Sequence, residues 1–351
     1  IAAGLALALM EALADLGTVQ YFGINTFTTA IYRTWFGMGD RVAAGQLASA
    51  LLLFVAALVV IEQAARRRSR FHRTSARDIT IRQIRLSGMP AWTATAACSL
   101  PVILGFILPV LILIGLHREG GDDLFGQRFL ALAWNTFALA GFAALVVTAT
   151  GLFVAYALRL ARSDTLRTLL RFSTFGCALP GTVIAVGILV SLGAAVQMLD
   201  SSSRALFGVS TGLLLSGTVM ALLFAYLVRF LAVAAGGLEA GFGRIPASMD
   251  QVARTLGCSS GEVMRRVHLP LLRRPLMTAA ILVFVDVLKE LPATLIIRPF
   301  HFDTLAVRVS QLASDERLAQ ASTGALVIVA IGLVSVGVLA GIVKGTSRRG
   351  S

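Results

Sequence analysis

Two pairs of acids lie inside apolar runs at helical spacing. Glu11 and Asp15 fall in 9-LMEALADL-16, and Asp286 and Glu290 fall in 284-FVDVLKEL-291. Residues four apart share one helix face. A carboxylate at membrane depth is costly and turns towards a bundle interior or water, which makes a translocation path the default reading. Hard oxygen donors suit a hard cation. The alternative is structural, with Lys289 and Arg298 neutralising the acids to specify packing. Pro292 is expected to break the second run just after Glu290 and to free backbone carbonyls there. Arg229, inside another apolar run, is expected to pair with an acid or to snorkel to an interface.

Other chemistries find little support. The sequence contains no G-x-x-x-x-G-K-[ST] phosphate loop, so ATP hydrolysis by this chain is not expected. Cys98, Cys177 and Cys258 are isolated, and His72, His117, His268 and His301 are scattered, so neither a stable metal site nor a catalytic constellation is expected, and no cofactor.

The elements that carry these acids are membrane spans. Of the 351 residues, 57% are hydrophobic and 14% charged, and the mean hydropathy is +0.82. An all-α polytopic membrane protein follows. Apolar runs near 1–22, 43–62, 93–116, 133–158, 173–197, 212–235, 276–297 and 321–343 predict about eight transmembrane helices. Gly181, Gly187 and Gly193 are expected to let helices approach closely.

The net charge of +13 does not point to nucleic acid, because of where it sits. Alternate loops collect 21 Lys and Arg on one face against 8 on the other, with Arg229 and Lys289 inside spans. The positive-inside rule makes 66–73, 159–171 and 236–275 cytoplasmic, and 23–42, 117–130, 198–211 and 298–320 extracytoplasmic. The run 66-RRRSRFHR-73 is expected to be a topology signal and linker with anionic lipid within its reach.

Between two spans stands a polar island, 245-IPASMDQVARTLGCSSGEVMRRVHLPLL-272. Ser248 with Gln251 has capping-box spacing, and Met249, Val252, Ala253 and Leu256 follow at helical spacing before Gly257 stops the helix. Ser259 with Glu262 repeats the capping signal, and Pro270 is expected to end the second helix by about His268. Gly257 is expected to be left-handed or tightly packed.

The chain also repeats itself. Glu11, Leu13, Asp15 and Leu16 align with Asp286, Leu288, Glu290 and Leu291, and 40-DRVA-43 aligns with 316-ERLA-319. Two copies of one module are expected: 1–62 as the last two spans of a truncated first copy, 63–92 as a basic linker, and 93–343 as the second copy.

The hairpin resembles the cytoplasmic loop of the permeases of binding-protein-dependent ABC importers. That loop reads Glu-Ala-Ala, three residues, Gly, nine residues, then Ile-x-Leu-Pro. Gln251, Val252 and Ala253 take the first three places, with Asp250 beside Gln251; Gly257 takes the glycine place, and Val267, Leu269 and Pro270 close the motif. The segments 10–37 and 286–309 further resemble the fused two-copy permeases of ferric-iron uptake, whose relatives carry thiamine, polyamines or inorganic anions. The resemblance implies a multi-pass protein of the bacterial inner membrane with six spans forming a complete type-1 permease domain, its core about 131–340. It implies two copies of a cytoplasmic ATPase gripping 245–272 and an extracytoplasmic binding protein docking on 23–42 and 298–320. A cation-coupled secondary transporter is the competing class; it would use the same acids but leaves the hairpin unexplained.

Overall fold

A computed structural model describes residues 2–68, 87–124, 126–161, 165, 168, 175–207 and 218–347. Most of the basic linker, much of the 163–171 connection, 208–211 of the expected outer loop and 212–217 of the span expected after it lie outside the described residues. The described chain is helical throughout, without strands. In order, the helices are α1 (Ala2–Ala14), α2 (Gly17–Tyr21), α3 (Phe27–Phe36), α4 (Arg41–Arg68), α5 (Met89–Gly120), α6 (Gln127–Ala161), α7 (Gly181–Phe207), α8 (Val219–Phe242), α9 (Ala247–Thr255), α10 (Ser260–Val263), α11 (Arg273–Leu288), α12 (Pro292–Ile297), α13 (Leu305–Ser314) and α14 (Leu318–Ser347).

Six of them, α4 to α8 and α14, are long and apolar enough to cross a membrane. The two remaining expected spans, 1–22 and 276–297, are each broken into a longer and a shorter helix, α1–α2 and α11–α12. The span expected from 173 is interrupted: one turn of helix over Phe175–Ala178 stops before Pro180, and the long helix starts at Gly181. α5 runs through Pro101 by widening into a π-turn at Ile103–Ile107.

The core lies where α6, α8 and α11 pack on one another. Leu222, Tyr226, Val283 and Leu288 are fully buried there among the small side chains Ala140, Ala143 and Ala234. A Cβ added at Gly151 would come within 3.0 Å of the Ala234 methyl, so the close approach of α6 to α8 needs glycine. Of the three glycines expected to do such packing, Gly187 and Gly193 meet nothing within 4 Å, and only Gly181 is crowded. A six-residue spacing spreads them around the helix instead of along one ridge.

The stretches 2–68 and 273–347 follow the same course. Each runs from a helix with a break (α1–α2, α11–α12) through a ten-residue helix (α3, α13) into a long span (α4, α14). The ten-residue helices are capped by Thr26 and Thr304, whose side chains accept the backbone N–H three residues on. Three residues before each cap the backbone is left-handed, at Gly23 (φ 68°) and His301 (φ 65°). Before each long span it is left-handed again, at Gly39 (φ 67°) and Glu316 (φ 59°). The helix starts also move the second sequence alignment by one residue. The carbonyls that open α4 and α14 belong to Asp40 and Arg317, so Asp40 matches Arg317 and not Glu316.

Candidate functional site at the helix breaks and the polar hairpin

At the first break Asp15 stands between α1 and α2. Its carboxylate Oδ1 accepts the Thr18 N–H at 3.2 Å, and its backbone carbonyl accepts the Thr28 hydroxyl at 2.8 Å. At the second break Glu290 Oε1 accepts the Ala293 N–H at 3.0 Å, and its carbonyl accepts the Thr294 hydroxyl at 2.7 Å. With that proton committed, the buried Tyr226 hydroxyl donates to Thr294 Oγ1 at 2.6 Å. Pro292 begins α12, where its missing N–H costs nothing. The breaks meet across Leu16, which is buried against Leu295 and Val307.

A cavity of about 630 Å³ opens between the breaks, walled by Glu11, Asp15, Arg229, Lys289, Glu290 and Pro292 among others. Three of the four expected acids share it. Asp286 is not on its wall; it pairs with Lys289 at 3.2 Å. The wall thus carries three carboxylates and two cations. Arg229 does not snorkel: its Nη2 lies 3.4 Å from Oε2 of the buried Glu290. Arg298 pairs with Asp303 and neutralises none of the intramembrane acids. A Cβ on Gly181 would fall 2.5 Å from both Arg229 Nη1 and Glu290 Oε1, so this glycine makes room for the ion pair. Among the described residues no group of three or more His, Cys, Asp or Glu converges as a metal cage.

The hairpin departs from expectation in two details. Pro246 precedes α9, and Ser248, already inside the first turn, makes no cap. By contrast, Ser259 and Glu262 cap α10 reciprocally: Ser259 N–H donates to Glu262 Oε2 at 2.9 Å, and Glu262 N–H donates to Ser259 Oγ at 3.4 Å. The Ser259 backbone bond, then its hydroxyl and the charge of Arg266, hold the Glu262 carboxyl below the usual carboxylate range. The second leg does not end at His268. It widens into a π-turn over Met264–His268 and continues to Leu271, with Pro270 in the first turn of the new segment, where its lack of an N–H is tolerated. Gly257 is left-handed at φ 81° with nothing within 4 Å of an added Cβ, so it answers a backbone need and not a packing one.

The apolar stripe of α9 faces outwards. Met249, Val252 and Leu256 are 44%, 58% and 78% exposed, and only Ala253 is buried. Gln251, Leu269 and Pro270 are exposed too, and Val267 is half-buried. Asp250 turns the other way. Its Oδ2 accepts from Arg159 Nε at 2.7 Å, and its Oδ1 lies 3.0 Å from Nε2 of the buried His268. Arg159, Tyr156 and His268 were not legible as site residues. The one signal for Arg159 is an arginine closing an apolar run.

Comparison with known proteins places this architecture. Over 336 residues, 94% of the chain, it is 26% identical to the Fe(3+)-transport system permease protein FbpB 2 of Haemophilus influenzae and covers 63% of that protein's length. Over 267 residues, 70% of the chain and 94% of the relative, it is 28% identical to PhnV of Salmonella choleraesuis, which is named for a 2-aminoethylphosphonate transport system. The fold is similar to that of a bacterial alginate ABC transporter crystallised with its alginate pentasaccharide-bound periplasmic protein. The TM-score is 0.57 at 14% identity, over 70% of this chain and 93% of that one. Residues 148–348, more than half of the chain, match one family, and the chain belongs to it: the binding-protein-dependent transport system inner membrane components.

Proposed function

We propose that this protein forms the membrane path of an ATP-driven importer whose cargo is ferric iron. In this reading a separate cytoplasmic ATPase, present in two copies, docks on the 245–272 hairpin through the exposed Met249, Gln251, Val252, Leu256, Leu269 and Pro270, with Gly257 setting the turn and Ala253 and Asp250 facing inwards. An extracytoplasmic binding protein delivers cargo to the outer loops. Residues 1–62 and 93–343 are then two copies of one module, and the cavity between their breaks is the path.

The observation that carries this reading is the outward apolar stripe Met249, Val252 and Leu256 on an otherwise polar hairpin. Apolar side chains held in water beside a polar rim mark a protein interface. Ferric iron is favoured by the carboxylates Glu11, Asp15 and Glu290 on the cavity wall and by the likeness to FbpB 2. A second cargo, 2-aminoethylphosphonate, is favoured by Arg229 and Lys289 on the same wall and by the likeness to PhnV.

The test is co-purification and uptake. The protein is expressed with candidate ATPase and binding-protein subunits from its own genome, and cells are given radioactive ferric iron or labelled 2-aminoethylphosphonate. Co-purification with the ATPase and ATP-dependent iron uptake are expected. Uptake that survives loss of the ATPase would replace this reading with a secondary transporter.

A further inference from the structure

We infer that Arg159, Asp250 and His268 are positioning residues for transport: they weld the hairpin to the ends of α6 and α8, so that hairpin and spans turn as one lever. The inference rests on the coupling role proposed for the hairpin.

Apolar burial alone does not hold the hairpin. Between Ala247 and Leu271 the buried side chains are Ala253, Val263 and His268, two of them small or medium aliphatics. Polar bonds supply the rest. One guanidinium, on α6, gathers four acceptors from three places: Asp250 on α9, the Phe242 carbonyl that ends α8 at 2.7 Å, and the Ile245 and Pro246 carbonyls of the connection at 3.2 and 3.4 Å. The Phe242 carbonyl, one of those without an intrahelical partner at the end of α8, also accepts the Ile245 N–H at 3.0 Å. Asp250 then crosses the hairpin to His268, joining its two legs.

Rings seal the joint. His268 lies edge-on to Phe242 at 5.4 Å, Tyr156 stacks on Phe242 at 6.0 Å, and the Arg159 guanidinium lies over Phe242 at 5.7 Å. The Tyr156 hydroxyl donates to the Ser260 carbonyl at 2.5 Å, tying α6 to the second leg as well. The Arg159 and Asp250 side chains keep only 15% and 21% of their surface exposed. Charge-assisted bonds this sheltered are expensive to break singly, so a tilt of the hairpin against α6 would disrupt several at once. A partner that moves the hairpin therefore moves two spans.

The test has two arms. In the first, the permease alone is placed in lipid nanodiscs and amide hydrogen exchange is followed over 247–271. Arg159→Gln is expected to speed exchange at least tenfold, as is His268→Leu, whereas His268→Gln, which keeps a donor towards Asp250, stays near the parent rate. Unchanged exchange in Arg159→Gln would overturn the weld. In the second, Tyr156→Cys and Ser260→Cys are bridged by a short bis-maleimide in a background of Cys98→Ser, Cys177→Ser and Cys258→Ser. Bridged protein in its ATPase complex is expected to keep at least half of the unbridged transport rate. Bridging that stops transport while the ATPase stays bound would mean a hinge in place of a weld, and this arm decides if Arg159→Gln fails to accumulate. Failure of the parent to bind any ATPase would count against the proposed function and leaves the exchange result to stand separately.

Discussion

Asp15 and Glu290 occupy the same station in two helices broken at the same point. Each carboxylate accepts the backbone N–H three residues on, and each backbone carbonyl accepts a threonine hydroxyl. They differ in one respect. Glu290 is buried against Arg229, and Asp15 has no cationic partner among the described residues. The acids of the two breaks are therefore not interchangeable.

Removing the Glu290 charge strands Arg229. Glu290→Gln is expected to cost about 3–5 kcal/mol, the usual penalty for an uncompensated buried charge. Adding Arg229→Gln should return a large part of it. Thermal unfolding in detergent measures both, and a Glu290→Gln protein as stable as the parent would contradict the pairing.

Glu11 and Asp15 should separate transport from stability. Glu11→Gln and Asp15→Asn are expected to accumulate normally, since asparagine caps a helix nearly as well as aspartate. Uptake of radioactive ferric iron should fall at least tenfold. Normal uptake in both variants would remove both acids from the path and leave Asp15 as a helix cap alone.

Left-handed residues give a third prediction. His301 and Glu316 adopt, at φ 65° and 59°, conformations that the matching Gly23 and Gly39 take freely. His301→Gly and Glu316→Gly should each stabilise the protein by up to about 1 kcal/mol. Gly257→Ala should destabilise it by about 1–2 kcal/mol, and Gly257→Asn by less, because only backbone strain is at stake there. Melting temperatures of the four variants check the signs.

The hairpin should loosen in acid. Burial holds the His268 imidazole below its ordinary pKa; Asp250 on α9 opposes this and Arg159 on α6 adds to it. Tyr156 and Phe242 complete its surroundings. The unfolded chain thus binds the proton more readily than the native one, and stability rises with pH between the two values. The contribution is fully present above about 6.5, the ordinary histidine value, and is lost as pH falls towards the lowered one. Protection factors over 247–271, which correct for the slower intrinsic exchange in acid, should fall below that point in the parent but not in His268→Gln.

Much of this was legible because it is local. The Ser259–Glu262 cap, the Gly257 turn and the break at Pro292 each depend on a few neighbouring residues, and the structure has all three. The first break was harder to read, because Asp15-Leu16-Gly17 contains no proline to announce it. Periodicity identified the stripe Met249, Val252 and Leu256 but not the direction it faces. A helix shows which residues share a face and not what lies opposite. The bonds of Arg159 and Arg229 join residues far apart in the chain, and no spacing rule reaches that far. Gly181, Gly187 and Gly193 look alike in sequence, yet only the first stands beside a charge pair.

That glycine ties three positions into one inherited unit. The Arg229–Glu290 pair leaves room at residue 181 for a hydrogen atom and nothing larger. Relatives that keep both charges must keep the glycine, whereas a relative that has lost both can carry alanine there only where the Ala293 backbone nitrogen, 3.1 Å from the added Cβ, gives way. Grafting the pair into such a relative would fail until its residue 181 was changed as well.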